Sequence, residues 1–91
     1  MLDVVLSNQF KKDLKAAKKR GYDLELLNDI VDALSCGALL PPKNRDHELT
    51  GDYKGFRECH IQPDWLLIYR IDKGELFLFL SRTGTHSDLF S

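Results

Sequence analysis

The three histidines of this 91-residue chain, His47, His60 and His86, all lie in its second half. Asp64 and Trp65 follow His60 closely, and Arg57 and Arg82 lie on or beside the same stretch. Imidazole, with an ordinary pKa near 6.5, can take or give a proton around neutral pH. Arginine offers a planar fork of donors to phosphoryl oxygens, and Trp65 or Phe90 could stack a base. RNA cleavage by internal attack suits this set. The ribose 2′-hydroxyl attacks its own phosphate, so the enzyme needs only proton transfer at two oxygens and charge stabilisation at phosphorus. Plainer readings stay open. A histidine is often structural or merely exposed. Trp65 at the head of an apolar strand suits a core, and Arg57 could pair with Glu58 or Glu48. No HxxH, HExxH or CxxC spacing occurs, so a metal site has no support from the pattern, and no cofactor is expected.

Elements must carry these groups. LDVVL at 2–6 reads as a short strand, with Ser7 able to cap a helix reaching about Arg20. Phe10, Leu14 and Ala17 form its buried stripe, and Gly21 suits the left-handed stop. Asp23 can cap a second helix to about Ser35, with Leu27, Val31 and Leu34 inward and Gly37 after it. The short turn predicts an antiparallel helical hairpin. Pro41-Pro42 makes 37–52 irregular. KGFRECHI, WLLIYRI and ELFLFLSR then read as three strands, with Asp72-Lys73-Gly74 as a tight turn whose glycine could take positive φ. The tail TGTHSDLFS reads as a loop. The order is β-α-α-β-β-β: an α+β fold with the hairpin on a mainly antiparallel four-stranded sheet, one domain over 1–91. Alternation gives that sheet two apolar faces, Trp65, Leu67, Tyr69 and Ile71 against Leu66 and Ile68. Two helices cover only one face, so the tail, a substrate cleft or a partner must shield part of the other.

The formal charge of −1 hides an asymmetry. Lys11, Lys12, Lys15, Lys18, Lys19 and Arg20 fall within ten residues, and Asp23, Glu25, Asp29 and Asp32 follow. The local field, not the net charge, is what a polyanion meets, although a solvated lysine-rich face would look the same. The start of the chain lacks a signal-peptide pattern and no apolar run reaches membrane-spanning length, so a cytoplasmic protein is expected. Cys36 and Cys59 fit that compartment as free thiols.

Two blocks, DHELTGDYKGFRECHIQPDWLLIYRI (46–71) and SRTGTHSDLF (81–90), resemble the YafQ branch of the RelE/ParE toxin superfamily. The shared features are DH-x-L-x-G, then KG-F-R-x-x-H leading to PDW-x-L-IY, then RTGTHxxLF. The N-terminal half is similar only in pattern. The resemblance implies a toxin of a type II toxin–antitoxin pair that cuts messenger RNA on the ribosome. It implies an antitoxin partner, and operator binding by the toxin–antitoxin complex through the antitoxin. It ties activity to His47, His60, Asp64, Trp65, His86 and Phe90, with Arg82 on phosphate. On that basis His86 is read as general acid, His60 with Asp64 as the base side, and His47 as a proton-transfer or phosphate-positioning group. Arg57 joins the substrate-binding set, and Lys11, Lys12, Lys15, Lys18 and Lys19 would grip ribosomal RNA by charge. One departure is the pI of about 6.3, where such toxins tend to be basic. Two other classes remain: a ParE-like inhibitor of DNA gyrase that does no chemistry, and a degenerate toxin acting only as an interaction module.

Overall fold

The computed structural model describes residues 1–90. Strand β1 (Asp3–Leu6) leads into helix α1 (Asn8–Lys19). The Ser7 hydroxyl accepts from the Phe10 N–H at 2.8 Å, taking up a donor that a first helical turn leaves unpaired. Phe10 and Ala17 are buried and Leu14 half-buried, while Lys11, Lys12, Lys15, Lys18 and Lys19 are all exposed. Helix α2 (Leu24–Ser35) starts at Asp23, whose carboxylate accepts from the Glu25 N–H, and buries Leu27 and Leu34. Gly21 and Gly37 end the two helices at φ +80° and +78°, a region open to glycine at little cost.

Four further strands complete one sheet: β2 (His47–Glu48), β3 (Arg57–Gln62), β4 (Trp65–Asp72) and β5 (Phe77–Gly84). The spatial order is β1-β5-β4-β3-β2, with β1 parallel to β5 and the other pairs antiparallel. The expected class and element order are observed, with one strand more than the four anticipated. That strand is β2, two residues inside the stretch read as irregular. It is too short to carry a period-two pattern, and its pairing with Arg57 and Glu58 defines it. β3 also begins later than the apolar run, because Lys54 and Gly55 form a turn with Gly55 at φ +92°. In the β4–β5 turn the left-handed residue is Leu76 at φ +60°, not Gly74; the Asp72 carboxylate accepts from the Glu75 N–H at 2.9 Å and fixes that turn.

The main core lies between the helices and one sheet face: Phe10, Leu27, Leu34, Cys59, Trp65, Leu67, Tyr69, Leu78 and Leu80. Burial pushes the Cys59 thiol up to about 12, so this cysteine stays protonated and inert. Leu66 and Ile68 point the other way and form a second, smaller core with Leu89, Leu49, Tyr53 and Phe56. The tail therefore does part of the shielding that the two apolar faces demand. It is not a loop: Thr85 and Asp88 cap each other reciprocally, Asp88 N–H to Thr85 Oγ1 at 3.1 Å and Thr85 N–H to Asp88 Oδ2 at 2.9 Å, and start helix α3 (His86–Phe90). Capping from within the tail, with Leu89 buried on the sheet, makes a helix that a five-residue apolar pattern could not announce.

Candidate active site

Register places the candidate groups. On the face away from α1 and α2, His47 pairs with Glu58, Glu58 with Ile68, and Ile68 with Arg82. The next rung toward the β3–β4 turn runs His60, Leu66, Gly84. His60 and Gly84 are thus two strand spacings apart, roughly 10 Å, and His86 lies two residues beyond Gly84.

Glu58 is the centre of the arrangement. It is buried, and its Oε1 lies 3.4 Å from His60 Nε2 and 3.8 Å from His47 Nε2. The Nδ1 of His47 meets the Arg45 carbonyl at 2.7 Å, and that of His60 meets the Pro63 carbonyl at 3.2 Å. Each ring is therefore fixed through Nδ1 by a backbone carbonyl and turns Nε2 toward the Glu58 carboxylate at ion-pair distance. The sequence reading weighed Glu58 only as a partner of Arg57. The overlooked clue was its place two residues before His60, which on a strand means the same face.

His86 is exposed and starts α3, with its ring 5.0 Å from that of Phe90. The Asp64 carboxylate accepts from the His86 backbone N–H at 3.2 Å. The turn that follows His60 thus grips the helix that carries His86. Asp64 was read with His60 as the base side; its carboxylate holds a backbone amide, and the carboxylate beside the His60 ring is Glu58. Phe90, 39% exposed, packs edge-on against Tyr53 at 5.8 Å, which brings Tyr53, a residue not singled out from sequence, into the same neighbourhood.

Arg82 reaches this face through an irregularity. Leu80 pairs with Tyr69 but Arg82 with Ile68, so Ser81 is an extra residue in β5. In regular alternation, two residues on from Leu80, Arg82 would share the core-facing side; bulges commonly re-aim a side chain in this way. Its Nε and one terminal nitrogen bind Asp13 at 2.7 and 3.3 Å, and that pairing, foremost among the causes, pushes its guanidinium further up.

Two expected substrate contacts are not brought to the site. Trp65 is 1% exposed on the helix-covered face, its Nε1 donating to Thr83 Oγ1 at 2.9 Å and its ring 4.8 Å from Tyr22. Strand alternation turns it away from Leu66, so no base can stack on it. Arg57 lies opposite Glu48 and Tyr69 on the other side of β3 from Glu58 and His60. It is occupied by Asp46 at 3.3 Å and Glu48 at 3.6 Å, with Asp46 also accepting from the Tyr69 hydroxyl at 2.6 Å. Among the described residues no group of three or more His, Cys, Asp or Glu is arranged to hold a metal ion, and no helix is long and apolar enough to cross a membrane.

Residues 2–91 match the family described as bacterial toxin of type II toxin–antitoxin system, YafQ. The chain belongs to the YafQ family of toxins. Within this family, the mRNA interferase toxin YafQ of Escherichia coli K12 is 42% identical over 89 residues, covering 97% of this chain and 95% of the relative. A crystallised metal-bound toxin from Helicobacter pylori superposes with a TM-score of 0.94 at 51% identity, over 99% of this chain and 100% of the other. The E. coli DinJ–YafQ complex gives 0.90 at 39% identity over the full length of both chains. These solved relatives share the fold over essentially the whole chain.

Proposed function

We propose that this YafQ-family toxin is an mRNA interferase, an endoribonuclease that cuts message on the ribosome by 2′-hydroxyl attack. The observation that carries the reading is the convergence of His47 and His60 on Glu58, with His86 tied by Asp64 to the turn after His60. The ribose supplies the nucleophile, so proton transfer and phosphate charge are what the protein must handle. His60, seated against Glu58, stands on the base side. His86, on the exposed tip of α3, protonates the departing 5′-oxygen. Arg82 supports phosphoryl charge and His47 assists from the far side of Glu58. Phe90 offers the exposed ring for a base.

The five exposed lysines of α1 hold ribosomal RNA through charge alone. An antitoxin covers this toxin as DinJ accompanies the E. coli relative, and the toxin–antitoxin complex binds its operator DNA through the antitoxin. The setting is the cytoplasm.

Cleavage of a defined message on translating ribosomes, in excess chelator, tests the reading. Products ending in a cyclic or 3′-phosphate are expected, with His86→Ala and His60→Ala each losing most of the rate. A strict metal requirement, or full cleavage by both variants, would refute the mechanism. Inhibition of gyrase supercoiling without message cleavage would replace it with the non-catalytic class.

A further inference from the structure

We propose that helix α1 is the positioning element of the active site, with Asp13 and Arg20 as positioning residues for Arg82 and His86. The proposal rests on the reading that Arg82 and His86 act on the scissile phosphate.

Asp13 and Arg20 are seven residues apart, so they lie on one stripe of α1, beside the buried stripe of Phe10, Leu14 and Ala17 and away from the exposed lysines. Asp13 sits where β1 has ended and β5 continues with no strand neighbour on that edge, its other edge still paired with β4. Its Oδ2 accepts from the Thr83 backbone N–H at 3.2 Å, in place of a ladder partner, and from Arg82 Nε at 2.7 Å, while Oδ1 takes the Arg82 terminal nitrogen at 3.3 Å. One carboxylate thereby fixes both the strand and the plane of the guanidinium. Arg20 does the same for α3. Its two terminal nitrogens reach both oxygens of Asp88, at 2.6 and 3.3 Å. Asp88 is also half of the reciprocal cap that starts α3. A five-residue helix cannot sustain itself by internal bonding, so the direction of His86 and Phe90 depends on what grips its first turn. Gly84 shows how tight the fit is: a Cβ there would stand 2.9 Å from Asp88 Oδ2 and 3.0 Å from Asp88 Cβ.

A stabilising role alone makes a different forecast. Arg20 and Asp88 have side chains 44% and 33% exposed, and exposed ion pairs contribute little to stability. If that were all, removing the pair would leave turnover intact. Displacing a catalytic group by a fraction of its working distance, in contrast, is costly in rate.

The test is message cleavage on translating ribosomes, with kcat and KM for ribosomes measured for Arg20→Ala, Asp88→Asn, Asp13→Asn and Arg20→Lys. Asp88→Asn keeps an oxygen for the Thr85 N–H and leaves the charge of α1 untouched, so it separates positioning from ribosome attraction. The expected result is a fall in kcat of about tenfold in the first three, a KM change of less than about twofold for Asp88→Asn, and partial recovery in Arg20→Lys. Thermal midpoints measured alongside should stay close to the parent for the Arg20 and Asp88 variants. Parental kcat in Asp88→Asn and Arg20→Ala overturns the proposal, as does a loss confined to KM. If the parent toxin itself cuts no message, the nuclease reading fails and takes this assignment with it; if the parent cuts and the variants match it, only the positioning role falls.

Discussion

Trp65 is the residue at which resemblance and geometry part most sharply, and its replacement gives a quantitative test. The side chain is 1% exposed, packs against Tyr22, and donates to a Thr83 hydroxyl that in turn donates to the Leu66 carbonyl at 2.7 Å. Truncating a buried tryptophan costs about 3–5 kcal/mol. In a domain of this size each kcal/mol moves the thermal midpoint by roughly 4–8 °C, so Trp65→Ala should lower it by at least about 12 °C. Trp65→Phe keeps most of the packing but leaves the buried Thr83 oxygen without its donor, a loss of about 1–3 kcal/mol. Circular dichroism melts give the stability. Message cleavage by Trp65→Phe, assayed well below its midpoint and normalised to folded protein, should match the parent. A Trp65→Phe protein that melts within about 2 °C of the parent yet has lost its cleavage would show that the ring meets RNA, and the reasoning from burial would be wrong.

Three other outcomes are expected. Glu58→Gln keeps the shape between His47 and His60 but removes the charge, and should cut the cleavage rate by at least about tenfold, within the range of proton-transfer contributions, while the melting curve still shows a single cooperative transition. Arg20 holds the Asp88 carboxyl well below the usual carboxylate range; a group depressed on folding stabilises above its unfolded value and loses that effect as pH falls. The gap in thermal midpoint between parent and Asp88→Asn, small because the pair is exposed, should therefore be constant above about pH 4 and close as the solution is acidified further; a gap that widens in acid would contradict the pairing. Neutralising Lys11, Lys15 and Lys18 together should weaken ribosome association and flatten its log–log salt dependence by roughly two to three units, and an unchanged slope would leave those lysines with no part in the contact.

The sequence was most legible where one residue type answers one local demand. Ser7, Asp23, Gly21 and Gly37 bounded the helices because caps and left-handed stops are read within three or four residues. Period two separated the two faces of β4 and forecast that the second would need cover. Legibility failed where the deciding partner is distant in the chain. Trp65 and His60 lie five residues apart, yet opposite sides of the sheet claim them, and only pairing with Thr83 and Glu58 reveals which. Glu58 looked like one more surface charge because its neighbours His47 and His60 arrive from a loop and from its own strand. The bulge at Ser81 and the short β2 are properties of register between strands, and composition carries no trace of them.

That single surplus residue in β5 puts the strand in two phases. Before it, the even-numbered Leu78 and Leu80 fill the interior; after it, the odd-numbered Thr83 does, and Arg82 is released to the opposite side. Interior and reactive surface are thus threaded onto one ribbon whose frame is set by Ser81. Were Ser81 kept but paired in regular alternation, the two destinations would exchange, sending a guanidinium toward the helices and stripping the indole of its acceptor. Excising Ser81, by contrast, would leave Arg82 opposite Ile68 and Thr83 opposite Leu67. Reading frame along this strand is where the molecule's durability and its chemistry are inherited as a unit.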